Sequence, residues 1–102
     1  MNIMNSIDLK QKLDLKEVVL IDVRQPEEYK SEHIEGAVLI PLGDISMEKL
    51  PETNQPLVVY CRSGKRSMDA CARLLKECPF LDIASLDGGI MDWIQAGYSV
   101  KR

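Results

Sequence analysis

The sequence predicts an α/β protein, a mostly parallel sheet with helices on both of its faces. Two observations carry this. Short, continuous apolar runs rich in β-branched residues recur along the 102 residues, each too short for a helix and suited to a strand buried on both sides. Between them lie segments with apolar residues at helical spacing, and strands that alternate with helices join through right-handed crossovers into a parallel sheet.

Ser6 is placed to cap a first short helix, with Asp8 near the positive end of its dipole and Leu9 and Leu13 on one face. Glu17 to Asp22 reads as a buried strand around Val18-Val19-Leu20-Ile21. Pro26, whose fixed φ suits the first helical position, opens a helix with Glu27 and Glu28 that fades near Ser31. Gly36 separates it from the run Ala37 to Ile40, which stops at Pro41. Ile45 to Leu50 has room for a helical turn or two before a loop from Pro51 to Pro56. Leu57 to Tyr60 is the next strand. After the segment Cys61 to Ser67, a longer helix is expected to turn Met68, Cys71, Ala72 and Leu75 toward the core, until Pro79 disfavours helical geometry at Cys78. Ile83 to Leu86 gives a further strand, Gly88-Gly89 a turn, and Ile90, Trp93 and Ile94 a last amphipathic helix ended by Gly97. Tyr98 to Val100 closes the chain.

A chain of this length has room for one compact core, so a single domain over residues 1–102 is expected. A hydrophobic fraction of 45% and a charged fraction of 28% are those of an ordinary globular protein. The net charge of -3 argues against nucleic acid as a partner, since phosphate binding needs a basic surface. The first thirteen residues lack the basic and apolar regions of a secretory signal, and no stretch approaches membrane-spanning length. A cytoplasmic protein without a membrane partner is expected. Cys61, Cys71 and Cys78 are odd in number and form no C-x-x-C pair, and His33 is the only histidine. Neither a disulfide framework nor a metal site is suggested, and no cofactor is expected.

Function is expected at the junction Cys61-Arg62-Ser63-Gly64-Lys65-Arg66-Ser67. With Leu57 to Tyr60 as a central strand, Cys61 lies beyond its carboxyl end, where open α/β sheets collect ligands. Gly64 lets the backbone turn tightly, and the helix N-terminus that follows offers amides and a dipole to an anion. Arg62, Lys65 and Arg66 add positive charge. Such surroundings depress a thiol's pKa, so Cys61 is expected to be a nucleophilic thiolate. The competing reading, a small buried residue ending a strand beside solvated cations, suits a lone cysteine better than it suits this loop. Cys71 on the apolar stripe and Cys78 at a helix end read as packing residues.

This loop resembles the active-site loop of the rhodanese family of sulfurtransferases. The stretch Leu20-Ile21-Asp22-Val23-Arg24 with Pro26, Glu28, Tyr29, His33, Ile34, Gly36, Ala37 and Ile40-Pro41 is similar to the family's N-terminal signature, and Gly88-Gly89, Trp93 and Gly97 to its C-terminal one. Glu35 and Ser99 depart from the family at positions away from the loop. The resemblance implies a three-layer α/β/α fold with a central sheet of about five strands. It also implies that the Cys61 thiolate takes the outer sulfur of a small anionic donor such as thiosulfate, forms a persulfide and releases sulfite. The acceptor would be a thiol or cyanide, or a thioredoxin-like or other sulfur-acceptor protein. The backbone amides from Arg62 through Ser63, Gly64, Lys65 and Arg66 to Ser67 would cradle the anionic sulfur. Arg62 and Lys65 would attract the donor, and Arg66 would join them or anchor the loop. Asp22 and Arg24 read as a structural ion pair near the site.

Two other functions use such a loop. Cysteine phosphatases and arsenate reductases place five residues between Cys and Arg, whereas Ser67 stands at that position here and Arg66 comes one residue early. Tyr60 also stands where many phosphatases have histidine. A rhodanese-like module that relays sulfur to a partner without turnover of its own needs Cys61 as much as an enzyme does.

Overall fold

Five short strands, all parallel, run through the centre of the molecule, which a computed structural model describes over residues 2–102. In chain order the elements are β1 (Asn2–Met4), α1 (Ser6–Asp14), β2 (Val19–Asp22), α2 (Pro26–Ser31), β3 (Val38–Leu39), β4 (Leu57–Tyr60), α3 (Lys65–Glu77), β5 (Ile83–Leu86) and α4 (Gly89–Gln95). The sheet order is β1-β5-β4-β2-β3, which makes β4 the central strand. In its register Val19 to Asp22 lie opposite Leu57 to Tyr60, and Val59 lies opposite Ser85.

Every residue of β4 is buried, and the period of two divides them between two cores. Leu57, Val59 and then Cys61 pack with Ala70, Cys71 and Leu74 of α3. Val58 and Tyr60 pack with Leu9 of α1 and with Ile90 and Trp93 of α4. This is the three-layer arrangement, with the loop after β4 at the carboxyl edge of the sheet. No helix among the described residues is long and apolar enough to cross a membrane.

Several expectations change in detail. The cap of α1 is Asn5, whose side-chain oxygen accepts the Asp8 amide at 2.8 Å, while Ser6 is buried and donates to Asp92 at 3.0 Å. The buried stripe of α3 is Ser67, Ala70, Cys71 and Leu74; Met68 (44% exposed) and Ala72 face outward, and Leu75 packs against the core only in part. The stripe begins on a serine whose hydroxyl is satisfied internally, so an apolar pattern starts one residue too late. Over Ile45 to Leu50 there is one 3-10 turn, Met47–Lys49, and a second, Leu42–Asp44, precedes that segment. Beyond Val100, Lys101 exchanges backbone hydrogen bonds with His33 at 2.9 and 2.7 Å. Strand β1 was not expected, and its Met4 carbonyl accepts the Asp87 amide at 2.8 Å.

Candidate active site

Because side chains alternate along β4, the next residue, Cys61, falls on the α3 side of the sheet, where it is 1% exposed. The chain then turns at Gly64, whose φ of +115° is open in practice to glycine alone, and enters α3 at Lys65. This turn brings the Gly64 amide to 3.1 Å from Cys61 Sγ. Ser67 Oγ lies 3.6 Å from the sulfur, donates to the Gly64 carbonyl at 2.9 Å and sits 2.7 Å from Ser85 Oγ. Burial pushes the Cys61 thiol pKa up, but hydrogen bonds from the Ser67 amide and hydroxyl and from the Gly64 and Ser63 amides together outweigh it. The net shift is downward, toward the thiolate.

The loop carbonyls are held elsewhere. The Cys61 carbonyl accepts the Ile90 amide at 2.9 Å and the Arg62 carbonyl accepts the Met91 amide at 3.1 Å. Both donors belong to the first turn of α4, whose amides have no partner within their own helix. Gly89 permits this approach, for a Cβ on it would lie 2.4 Å from the Arg62 carbonyl oxygen. The start of α4 therefore draws the carbonyls of Cys61 and Arg62 to one side, and the amides of Ser63, Gly64 and Ser67 are left for the sulfur.

The three cations of the loop divide into two kinds. Arg66 forms a two-pronged bond with Glu28 of α2, at 2.8 and 3.0 Å, and is the anchor. The Arg66 hydrogen bond, opposed by burial, holds the Glu28 carboxyl at about 2. Arg62 and Lys65 are exposed and form no ion pair among the described residues. Asp22 and Arg24 form the expected structural pair, buried and joined at 2.8 Å, and Arg24 also donates to the Glu32 carbonyl at 2.6 Å. The Arg24 guanidinium stands 5.5 Å from the centre of the Tyr60 ring. Burial and the neighbouring Asp22 charge raise the Tyr60 phenol far above its ordinary value, so it stays neutral, and its oxygen accepts the Ile34 amide at 3.1 Å.

Beside the loop a cavity of about 730 Å³ opens between α2 and α4. Glu27, Glu28 and Glu32 line one wall, Met91 and Ile94 the other, and Arg62 is the loop's contribution. Of the remaining thiols, Cys71 is fully buried in the core, which pushes its pKa up to about 11, and Cys78 is half-buried at the end of α3. His33 stacks on Tyr29 at 3.8 Å, with Nδ1 2.8 Å from the Tyr29 carbonyl. Ser85, the close approach of Gly89 to the loop carbonyls and the pairing of Glu28 with Arg66 escaped the sequence reading. The available signal for Ser85 was a hydroxyl in an otherwise apolar strand.

The site is thus a buried, amide-held thiol at the carboxyl end of the central strand of a parallel α/β sheet. Residues 6–96 match the rhodanese-like domain, and the chain belongs to that family of sulfurtransferases. It is 35% identical to a sulfurtransferase of Allochromatium vinosum, over 97% of this chain and 94% of that protein. It is 37% identical to the thiosulfate sulfurtransferase GlpE of Pseudoalteromonas translucida, over 87% of this chain and 84% of that one. Among solved structures, a rhodanese-related protein from Thermoplasma volcanium superposes with a TM-score of 0.85 at 29% identity, covering 99% of this chain and 98% of that one. A thiosulfate sulfurtransferase from Pseudomonas aeruginosa shares the fold, with a TM-score of 0.89 at 24% identity over all of this chain and 20% of that one.

Proposed function

We propose that this protein transfers sulfane sulfur from a small anionic donor such as thiosulfate to a thiophilic acceptor, in the cytoplasm, through a persulfide on Cys61. The observation that carries this is the sulfur's position, 3.1 Å from the Gly64 amide with Ser67 beside it, in surroundings that favour the thiolate. The thiolate attacks the outer sulfur of thiosulfate; a new S–S bond forms, the old one breaks, and sulfite leaves with the electron pair. Cyanide or a thiolate then attacks the outer sulfur of the persulfide, and Cys61 regains its electron pair. Two displacements through an enzyme nucleophile are covalent catalysis. Amides of the loop from Arg62 to Ser67 stabilise the anionic sulfur as dipoles already in place. Arg62 and Lys65, exposed and unpaired among the described residues, draw the donor in, while Arg66 fixes the loop to α2.

A second reading, delivery of the sulfur to a protein thiol, is favoured by the cavity beside Arg62, which is larger than cyanide or thiosulfate requires. Phosphatase chemistry is disfavoured because the only nearby loop arginine of roughly suitable position, Arg66, is engaged by Glu28. The test is the intact mass of the protein after thiosulfate and then cyanide. A gain of one sulfur, lost again on cyanide and absent in Cys61→Ser, is expected. No gain, or a gain retained by Cys61→Ser, would overturn the proposal.

A further inference from the structure

Ser85 is a buried hydroxyl in the apolar strand β5, and a polar group placed there needs a partner. The period of two sets it on the same face as Ile83, toward α3, and the register places it beside Val59, two residues before Cys61. Its hydroxyl meets Ser67 Oγ at 2.7 Å and has no other hydrogen-bond partner among the described residues. We propose that Ser85 is a positioning residue for the nucleophile: its hydroxyl donates to Ser67 Oγ and so leaves the single Ser67 proton free to follow the charge on Cys61.

The proton count supports this direction. Ser67 Oγ has one proton and two lone pairs. In the thiol state the Cys61 S–H donates to Oγ, and the Ser67 O–H donates to the Gly64 carbonyl at 2.9 Å. When Cys61 gives its proton to a base in solvent, the Ser67 O–H turns to the sulfur anion. The Gly64 carbonyl is not orphaned, since it also accepts the Met68 amide at 3.2 Å. In both states a lone pair of Ser67 Oγ remains for the Ser85 O–H, which has no other hydrogen-bond partner among the described residues. A donor into Ser67 Oγ polarises its O–H and strengthens the bond to the thiolate. Were Ser67 instead to donate to Ser85, the thiolate would lose that proton and the Ser85 proton would be buried without a partner.

The consequence for turnover rests on the sulfur-transfer reading, but the ionisation of Cys61 is measurable without any sulfur donor. The test is the pH dependence of iodoacetamide alkylation in the full chain carrying Cys71→Ala and Cys78→Ala, so that Cys61 alone reports. Ser67→Ala should raise the Cys61 pKa by about one unit and Ser85→Ala by about 0.3 unit, the cooperative share of that bond. Because Ser85 acts through Ser67, the double variant should exceed Ser67→Ala by nothing measurable, and Ser85→Thr should restore the parent value. An unchanged pKa in Ser85→Ala, or full additivity in the double variant, overturns the proposal. Should Ser85→Ala fail to fold, Ser85→Val is compared with its hydroxyl-bearing isostere Ser85→Thr; a higher Cys61 pKa in Ser85→Val supports the proposal, and equal values refute it. A failed mass experiment with thiosulfate would leave these alkylation shifts intact, so the two failures are distinguishable.

Discussion

Replacing Gly89 by alanine tests the packing that aims the loop at its sulfur. The residue has a φ of +61°, where a Cβ costs about 1–2 kcal/mol. The added carbon would also stand 2.4 Å from the Arg62 carbonyl oxygen and 2.5 Å from that of Cys61, both backbone atoms, so the loop must retreat by about 1 Å. Retreat weakens the bonds from Ile90 and Met91 to those carbonyls, each worth ~1 kcal/mol net. The expected loss is ~3 kcal/mol, a fall in melting temperature on the order of 15 °C for a domain of this size. Gly97→Ala is the control: its φ is +92°, but nothing lies within 4 Å of the added carbon, so only the conformational cost applies. Thermal unfolding of both variants, with alkylation kinetics of Cys61, gives the comparison. Gly89→Ala should be the less stable of the two and should react more slowly at neutral pH, because the displaced amides no longer favour the thiolate. Equal stability of the two variants, with unchanged Cys61 reactivity, would refute the role given to this contact.

Three further outcomes follow from the site. Cys61→Ser should abolish sulfur transfer from thiosulfate to cyanide with the fold intact by circular dichroism, while Cys71→Ala and Cys78→Ala keep most of the activity; Cys71→Ala should cost stability on the order of 1 kcal/mol for the buried volume it removes. Neutralising Arg62 and Lys65 together should reduce kcat/KM for thiosulfate more than for an uncharged sulfur donor, and the gap should narrow at high salt. Glu28, held at about 2 against an ordinary value of 4.5, adds stability that is fully present above pH 4.5 and lost as the pH falls through about 2. For a pair one third exposed this is on the order of 0.5–1 kcal/mol. Glu28→Gln should therefore unfold more readily than the parent at pH 7 in urea, with the difference vanishing near pH 2.

What the sequence made legible is what depends on local pattern. The apolar runs at Leu57 to Tyr60 and Ile83 to Leu86 are strands at those same bounds, because a strand buried on both faces is marked by an almost unbroken apolar run, interrupted here by Ser85 alone. Cys61 was legible because glycine and basic residues follow it within one turn of chain. β1 was not, since Asn2-Ile3-Met4 is mostly exposed and carries no period; only its partner β5 makes it a strand. The Glu28 to Arg66 bond joins residues 38 apart, and Ser67 to Ser85 joins residues 18 apart. No local spacing announces such contacts. The α3 stripe was misplaced for a related reason, as Ser67 is buried by hydrogen bonds that lie outside its own helix.

The pairing of β1 with β5 bears on the order in which the molecule assembles. Asn2 lies opposite Ala84, so this edge of the sheet joins the first strand to the last across nearly the whole chain. Contacts of such sequence separation are reached only after the entropy of closing a long loop has been overcome, and they slow folding relative to local ones. During synthesis β1 emerges first, yet it has no partner until β5 has left the ribosome. The Asp87 amide that bonds to Met4 opens the turn carrying Gly88 and Gly89, and so the support beneath Cys61 completes with the final stitch of the sheet. A chain stalled before residue 83 would have made Cys61 but would still lack both Ser85 and the helix that holds the loop carbonyls aside.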